Sequence, residues 1–593
     1  MFEPIDRGGL GRLAILSRSG VEVRTPAVLY VHGRERPAPS YAEALLTADR
    51  IPDGRVQIRV SGSLFAPREP GGPDDLPPTK GLPLSMADLE SPQGPVAGDV
   101  ALLTSEADVP AAASAELVFL ANGVGYVRHP REFVATMARI RTELGPAKVV
   151  GVTGLAVPSN LALLVYAGVD LVDSSRIVLD GVRDVFHTSD GAWPVAEVDR
   201  ASCECVACAG GGDIVAHNER ALHRETLVVR NHLAHGRLRE LVEKRLANDP
   251  WNTAVLRHLD LRHQAILEES TPVSGGELLA YSHESLSRPE VVRFRRRVRE
   301  RYRKPPSARV LLLLPCSARK PYSASRSHRR FRDAILAAKN PSVVHEVVVT
   351  SPLGLIPREI ERFYPARAYD IPVTGDWNRD EAAIVTEDLQ AFAAENRYDA
   401  LVAHLGAEAP IVSAALPQVV VPSSAHPTSD EALAALTRAL DDVTASFDRV
   451  PRGGRFAEEM ANLARFQFGD VGASLTDGAS FRGRFPDVRV VRGGRQIAAH
   501  TDRGMLSLTL DGGAILSAAD AYCVEIEDFV PKGNVFAVGV KGASREIRVG
   551  DEAVVRHAGE VRAVGTARMT WREMVDLERG QALHVRHALP PKT

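Results

Sequence analysis

Hydrophobic positions along this chain come as short runs that alternate with amphipathic stretches. ELVFLANG (116–123) has strand character, PREFVATMARIRTEL (130–144) has helical spacing, and AKVVGVTGLA (147–156) returns to a strand. SNLALLVYAG (159–168) is a further helix, and GVDLVDSSR (168–176) ends a further strand. Such alternation predicts a parallel α/β layer, barrel or open sheet. Long amphipathic helices follow to about residue 303. After RKPPSARV a second α/β unit begins. ARVLLLLPC (308–316), HEVVVTSPL (345–353), YDALVAHLG (398–406) and QVVVPSS (418–424) are the nearly continuous apolar runs of strands buried on both faces. The helix TSDEALAALTRALDDVTASF (428–447) closes this unit, with Thr428 and Glu431 at capping-box spacing. Beyond DRVPRGGRF the runs shorten and glycine turns multiply, in VRVVRGGRQIAAH, LSLTLDGG, NVFAVGVKG, DEAVVRHAG and EVRAVGTARM. That texture predicts small β-rich modules. Residues 67–84, rich in proline and glycine, read as a long surface loop.

At 593 residues the chain exceeds one hydrophobic core, so several domains are expected. A composition 45% hydrophobic and 25% charged, with net charge -3, is that of an ordinary soluble protein, so any basic surface must be local. The start, MFEPIDRGGLGRL, lacks the basic-then-apolar pattern of a secretory leader, and no apolar run approaches the ~20 residues of a membrane helix. A cytoplasmic location without membrane partners is the expectation. Five cysteines make no disulfide framework, and three of them cluster at Cys203, Cys205 and Cys208, which points to a metal in a reducing compartment.

Three motifs carry candidate chemistry. In CECVAC the three thiolates can converge on a tetrahedral structural zinc, and His217, His223, His232 and His235 are candidates for the fourth ligand. VVRFRRRVRERYRK (291–304) places so many cations on one helix that at least one face is basic, which suggests phosphate contact. The third is LLLLPCSARKPYSASRSH (311–328). Its leucines end a buried strand, and ligands of open α/β sheets bind beyond the carboxyl ends of strands, which is where Cys316 falls. Arg319 and Lys320 are expected to lower the thiol pKa, and His328 to exchange a proton near neutrality.

The order Pro315-Cys316, Lys320-Pro321-Tyr322, Ser325, His328 resembles the signature of the archaeosine synthases, relatives of tRNA-guanine transglycosylase. TSPLGLIPREIERFYPARAYDIPVTGDW (350–377) looks like the same domain of that family. GVTGLAVPSNLALLVYAGVDLVDSS (151–175) is similar to the transglycosylase barrel, with Asp173 at the position of the aspartate that attacks ribose, and CECVAC is similar to its zinc motif. In that family the fourth ligand belongs to a His-Asn pair about twenty-five residues on; Arg230-Asn231-His232 stands there, so His232 is the expected ligand, with His235 next. Residues 512–574 (GGAILSAADAYCVEIEDFVPKGNVFAVGV through VGTARMTWREM) resemble the RNA-binding PUA domain. The Asp-Ser-Gly-Gly-Phe-Gln motif of the transglycosylases is not found.

The resemblance implies an α/β multidomain chain: a transglycosylase-like (β/α) barrel with the zinc motif (1–245), a basic helical connector (246–304), a three-layer catalytic α/β domain (305–450), a small α+β module (451–519) and a β-barrel PUA domain (520–593). It implies action on 7-cyano-7-deazaguanine in tRNA, where a small amine, lysine or glutamine, adds to the nitrile to form an amidine. In that role Cys316 is the expected nucleophile, His328 would protonate the nitrile nitrogen, and Lys320 would either stabilise the developing charge or itself be the attacking group. Tyr322 and Ser325 would orient substrate, and Asp370 would anchor the donor's ammonium. A partner enzyme that finishes the modification, and a homodimer, belong to the same expectation. Two alternatives remain open: a base-exchanging transglycosylase and a non-catalytic tRNA-binding protein.

Overall fold

In the computed structural model, which describes residues 2–32, 37–47, 54–59, 96–97, 99–121, 123–372 and 376–590, the apolar runs become strands where burial on both faces is available. The expected loop at 67–84 lies outside the described residues. The chain divides into two compact units: Met1–Thr271 with Phe536–Val538 and Arg572–Gly580, and Pro272–Val535 with Gly539–Trp571 and Gln581–Thr593.

The first unit is built on a parallel half-barrel sheet. Its strand order is Val56–Arg59, Ala44–Thr47, Ala27–His32, Leu171–Asp173, Val149–Val152, Leu117–Leu120, Val100–Leu103 and Val96–Ala97, with only the last pair antiparallel. Apolar clusters cover both faces, which is why these strands read as continuous apolar runs. Helix Leu161–Tyr166 is buried along its whole length.

The second unit contains helix Pro289–Glu300 and a four-stranded sheet in the order Gly354–Pro357, Val344–Thr350, Val310–Pro315, Ala400–Ala403. Val310–Pro315 is central and parallel to both neighbours. Leu312 and Leu314 join Phe331, Ile335, Leu436 and Leu440 of helices Arg326–Ala337 and Asp430–Thr444 in one core. Leu311 and Leu313, on the other face, are also 0% exposed. Burial on both faces thus makes a three-layer arrangement, and it eases at the strand's carboxyl end, where Pro315 and Cys316 are half-buried.

Three expectations shift in detail. QVVVPSS forms no strand; only Val420 bridges to Val402, because Pro417 and Pro422 remove ladder donors on either side. The cap of Asp430–Thr444 is Ser429, whose Oγ accepts from Ala432 N at 3.2 Å, while Thr428 turns to His426. LSLTLDGG yields the strand Leu506–Leu508 and then helix Leu510–Ala518, begun by Thr509 Oγ1 accepting from Gly512 N. Strands Ser480–Arg484, Asp487–Arg492, Arg495–His500 and Leu506–Leu508 form an antiparallel sheet. Val535–Phe536, Gln581–Ala588, Glu560–Ala567, Glu552–His557, Cys523–Ile526 and Val540–Ala543, in that order, form the curled sheet of a PUA domain. Among the described residues no helix is long and apolar enough to cross a membrane.

Candidate functional site

Where Val310–Pro315 ends, the chain enters a cleft of about 360 Å³. Cys316 lines it together with Tyr281, Ser351, Trp377, Glu381 and Glu408. The strand's leucines fix the thiol's position by burial, and Thr350 at the end of the neighbouring strand stands beside it, its Oγ1 bonded to Ser351 O and the Tyr369 hydroxyl. Burial pushes the thiol pKa up, Glu408 adds to the rise, and Lys320 pulls the other way without reversing it. The expected net lowering by Arg319 and Lys320 therefore does not occur. The Glu408 carboxylate has no hydrogen-bond or ion-pair partner among the described residues, so it faces the thiol uncompensated.

Lys320 is close enough to Cys316 to couple to it electrostatically but is not itself among the residues lining the cleft. Its Nζ lies 4.1 Å above the Tyr369 ring, and its pKa is lowered by burial against the opposing pull of Cys316 and Asp370. Beneath it Tyr322, 0% exposed, hydrogen-bonds its hydroxyl to that of Tyr369, which also meets Thr350 Oγ1 at 2.7 Å. Tyr322 therefore belongs to the floor that carries the ammonium and does not reach the cleft. Asp370 is exposed on the strand Tyr369–Asp370, beside Lys320 and outside the cleft lining.

Ser325 and His328 are placed differently from their expected roles. Ser325 is the N-cap of Arg326–Ala337, its Oγ accepting from His328 N at 3.2 Å. His328 is 2% exposed; Nε2 donates to the Pro315 carbonyl at 3.0 Å and Nδ1 accepts from Arg358 at 2.8 Å. Burial, then the Arg358 charge, push its pKa down to about 3. A neutral imidazole with both nitrogens engaged pins the end of the strand and has no proton to offer the cleft. Arg358, which motif spacing gave no reason to single out, is itself held by Glu346 (2.8 Å) and Glu361 (2.8 Å).

The basic helix spends its charge internally. Arg293 and Arg297 are buried, Arg295 and Arg299 meet Asp388 at 2.7 and 2.6 Å, and Arg303 meets Glu395 at 3.4 Å. The expected phosphate-binding face is therefore largely neutralised. Exposed arginines stand instead on the hairpin 480–492, where Arg482 pairs across strands with Arg489, and neither these two nor Arg484 has an ion pair among the described residues.

In the first unit Cys203, Cys205 and Cys208 converge on His217, with their Sγ atoms 3.5, 3.4 and 3.4 Å from its Nδ1. The edges of a tetrahedral zinc site, from Zn–S and Zn–N bonds of ~2.3 and ~2.0 Å, are about 3.5 Å, so this donor set could hold a metal ion. His217 Nε2 donates to the His187 carbonyl at 2.9 Å, which fixes the tautomer that leaves Nδ1 free to ligate. His232 is not the fourth donor: its Nδ1 is bonded to Val228 O, one turn back on its own helix. The missed signal is His217-Asn218, a His-Asn pair only nine residues past Cys208. Asn218 donates to Ile177 O and Val185 O and accepts from His187 N, which anchors the pair.

Asp173 ends the strand Leu171–Asp173 and is 1% exposed. Its carboxylate accepts from Gly154 N (3.2 Å), Ser175 N (3.0 Å) and Ser175 Oγ (2.6 Å), while burial raises its pKa to about 6.

Comparison with known proteins adds an independent finding. Residues 291–440 match a family described as a domain of unknown function (DUF5591), and residues 524–589 match the PUA domain. The chain is 36% identical to the archaeosine synthase of Haloferax volcanii, over 89% of this chain and 93% of that one. It is 36% identical to the archaeosine synthase subunit alpha of Methanosarcina acetivorans, over 79% of each chain. It is 27% identical to a tRNA-guanine(15) transglycosylase of Methanothermobacter thermautotrophicus, over 77% of this chain and 68% of that one.

Proposed function

The chain belongs to the archaeosine synthase family, and on that premise we propose that it modifies tRNA in archaeosine biosynthesis by adding an amine to the nitrile of 7-cyano-7-deazaguanine. The observation that carries the reading is Cys316, a thiol at a strand end that opens on a cleft, between a desolvated ammonium and an unpaired carboxylate. As the thiol adds to the nitrile carbon, its proton passes to Glu408 and Lys320 protonates the nitrile nitrogen, giving a thioimidate. The amine then attacks the same carbon and the C–S bond breaks. The amine's proton returns to Lys320 and that of Glu408 goes to the departing sulfur, so product is an amidine and the enzyme is restored. Lowering of the Lys320 pKa makes it a better acid than an ordinary ammonium. His328 and Ser325 position the strand end and the helix start; Tyr322 supports Lys320. Of the donors lysine and glutamine, a net cation suits a cleft lined by Asp376, Glu381 and Glu408, with Asp370 outside it as a second attraction.

Three further assignments complete the reading. Cys203, Cys205, Cys208 and His217 would hold a structural zinc; four protein donors leave no open position, so the ion would brace the 203–208 segment against helix Ile214–Ala234. Metal content lost in His217→Ala and kept in His232→Ala is the expected check. The PUA domain and the hairpin arginines would contact the tRNA, whose cytoplasmic pool places the enzyme there. The division at 305–450, 451–519 and 520–593 stands as the working domain scheme. Nucleoside mass spectrometry of nitrile-bearing tRNA, incubated with enzyme and each candidate amine, tests the function: a gain equal to one whole amine molecule supports it, and an intact nitrile with every amine removes it.

A further inference from the structure

The cleft beside Cys316 has one wall that neither the signature motif nor the matched domain at 291–440 covers. It comes from residues 280–286. Strand Leu278–Leu279 pairs in parallel with Tyr369–Asp370, and Ala280 N donates to Asp370 O at 2.9 Å. Arg288, 1% exposed, ties down the Leu279 carbonyl at 2.8 Å. The segment is thus fastened to Tyr369, whose ring carries Lys320, and it delivers Tyr281 to the cleft with 38% of its surface exposed. A second aromatic, Trp377, lines the cleft just before Asn378, the cap of helix Arg379–Glu395. Asn378 and Glu381 form a capping box, Ser351 Oγ donates to Glu381 at 2.6 Å, and His283 reaches Asp380 at 3.4 Å, so the backbone around Trp377 is held from several sides. No lysine or arginine is among the described lining residues, and Asp376, Glu381 and Glu408 are. Such walls disfavour a phosphate and accept an uncharged flat ring, and about 360 Å³ falls within the range of small-ligand pockets.

We infer that Tyr281 and Trp377 are the stacking walls of the base pocket, which hold the extruded nitrile-bearing base against Cys316. This rests on the reading that Cys316 attacks a base-borne nitrile. An enzyme that works on a base must replace the stacking that the base gives up on leaving its helix, and aromatic side chains do so without reading sequence.

The test uses the full-length protein and tRNA bearing the nitrile base. Tyr281→Ala and Trp377→Ala are each expected to raise KM for that tRNA about tenfold, while KM for the amine holds and phenylalanine at either position restores binding to within about twofold. Tryptophan emission should fall when the nitrile-bearing tRNA is added, and that fall should vanish in Trp377→Phe. Alanine variants that melt like the wild type and keep the tRNA KM would overturn the inference, as would a defect confined to the amine KM. Should wild-type enzyme leave the nitrile intact, the proposed chemistry fails separately; emission quenched through Trp377 would still sustain the base pocket, and unchanged emission would overturn it.

Discussion

Asp173 and Cys316 hold the same kind of address. Each stands at the carboxyl end of a parallel strand, in a sheet whose strands are covered on both faces, where a substrate group is normally received. Their surroundings differ. Asp173 is buried, and three donor groups on Gly154 and Ser175 converge on its Oδ1, with Gly154 N shared with Oδ2. Cys316 opens on a cleft and faces an unpaired Glu408. Position alone therefore does not make a site; what matters is whether the group at the strand end has spent its bonding capacity on its own backbone. This supports a half-barrel that serves as scaffold and a second unit that carries the chemistry.

The comparison breaks most visibly by exchange of the two residues' fates. Cys316→Ala should lower turnover of nitrile-bearing tRNA by at least about a thousandfold with unchanged melting, because the bond-forming atom is gone. Asp173→Ala should leave turnover per folded molecule intact and cost about 2–4 kcal/mol of stability, since buried N–H donors lose their acceptor. Turnover assays beside denaturant titrations separate these outcomes, and the reverse pattern would relocate the chemistry to the first unit.

His328 offers a second test through acid. Its pKa lies at about 3 in the folded protein against an ordinary 6.5, so the stability that comes from keeping it neutral is full above about pH 6.5 and is lost as pH falls toward 3. That loss should be roughly 3–5 kcal/mol, and His328→Gln should be less stable at neutrality but flatter over the same interval in denaturant titrations. An unchanged pH profile in the variant would mean that His328 does not pin the strand end.

Smaller shifts concern the thiol itself. Alkylation of Cys316 followed against pH should report a pKa above the ordinary thiol range; Glu408→Gln should lower it and Lys320→Met should raise it further, because the carboxylate disfavours the thiolate and the ammonium favours it. The least dramatic effect is expected from the hairpin. Arg482→Ala with Arg489→Ala should weaken tRNA binding uniformly across sequences and reduce the salt dependence of log K by about 2, since each arginine neutralises one phosphate.

Much of this was legible in the residues. Nearly continuous apolar runs mark the buried strands, QVVVPSS excepted, and so the strand end at Cys316, and the spacing from Pro315 to His328 marks the family. Spacing says which residues lie close along the chain but not which way they turn. Ser325 and His328 sit in the signature as readily for a cap and a strand pin as for catalysis, and only burial distinguishes the two. Distance along the chain favours His232 as the fourth ligand, whereas the His-Asn pair itself favours His217, and the fold brings His217 to the cysteines. The eight cations of 291–304 looked like a surface because their partners Glu387, Asp388 and Glu395 lie nearly a hundred residues away. Tyr281 carries no local signal, and Trp377 ends the family-like segment 350–377 without a role, because the cleft is assembled from segments that no local pattern connects.

The most direct test of the central claim is peptide mass analysis of Cys316 after the enzyme is held with nitrile-bearing tRNA and no amine, then denatured and digested. The account predicts a nucleoside-derived mass on the peptide that carries Cys316, discharged when the amine is supplied. An unmodified Cys316 peptide from enzyme that turns over normally, or full turnover by Cys316→Ala, would contradict it.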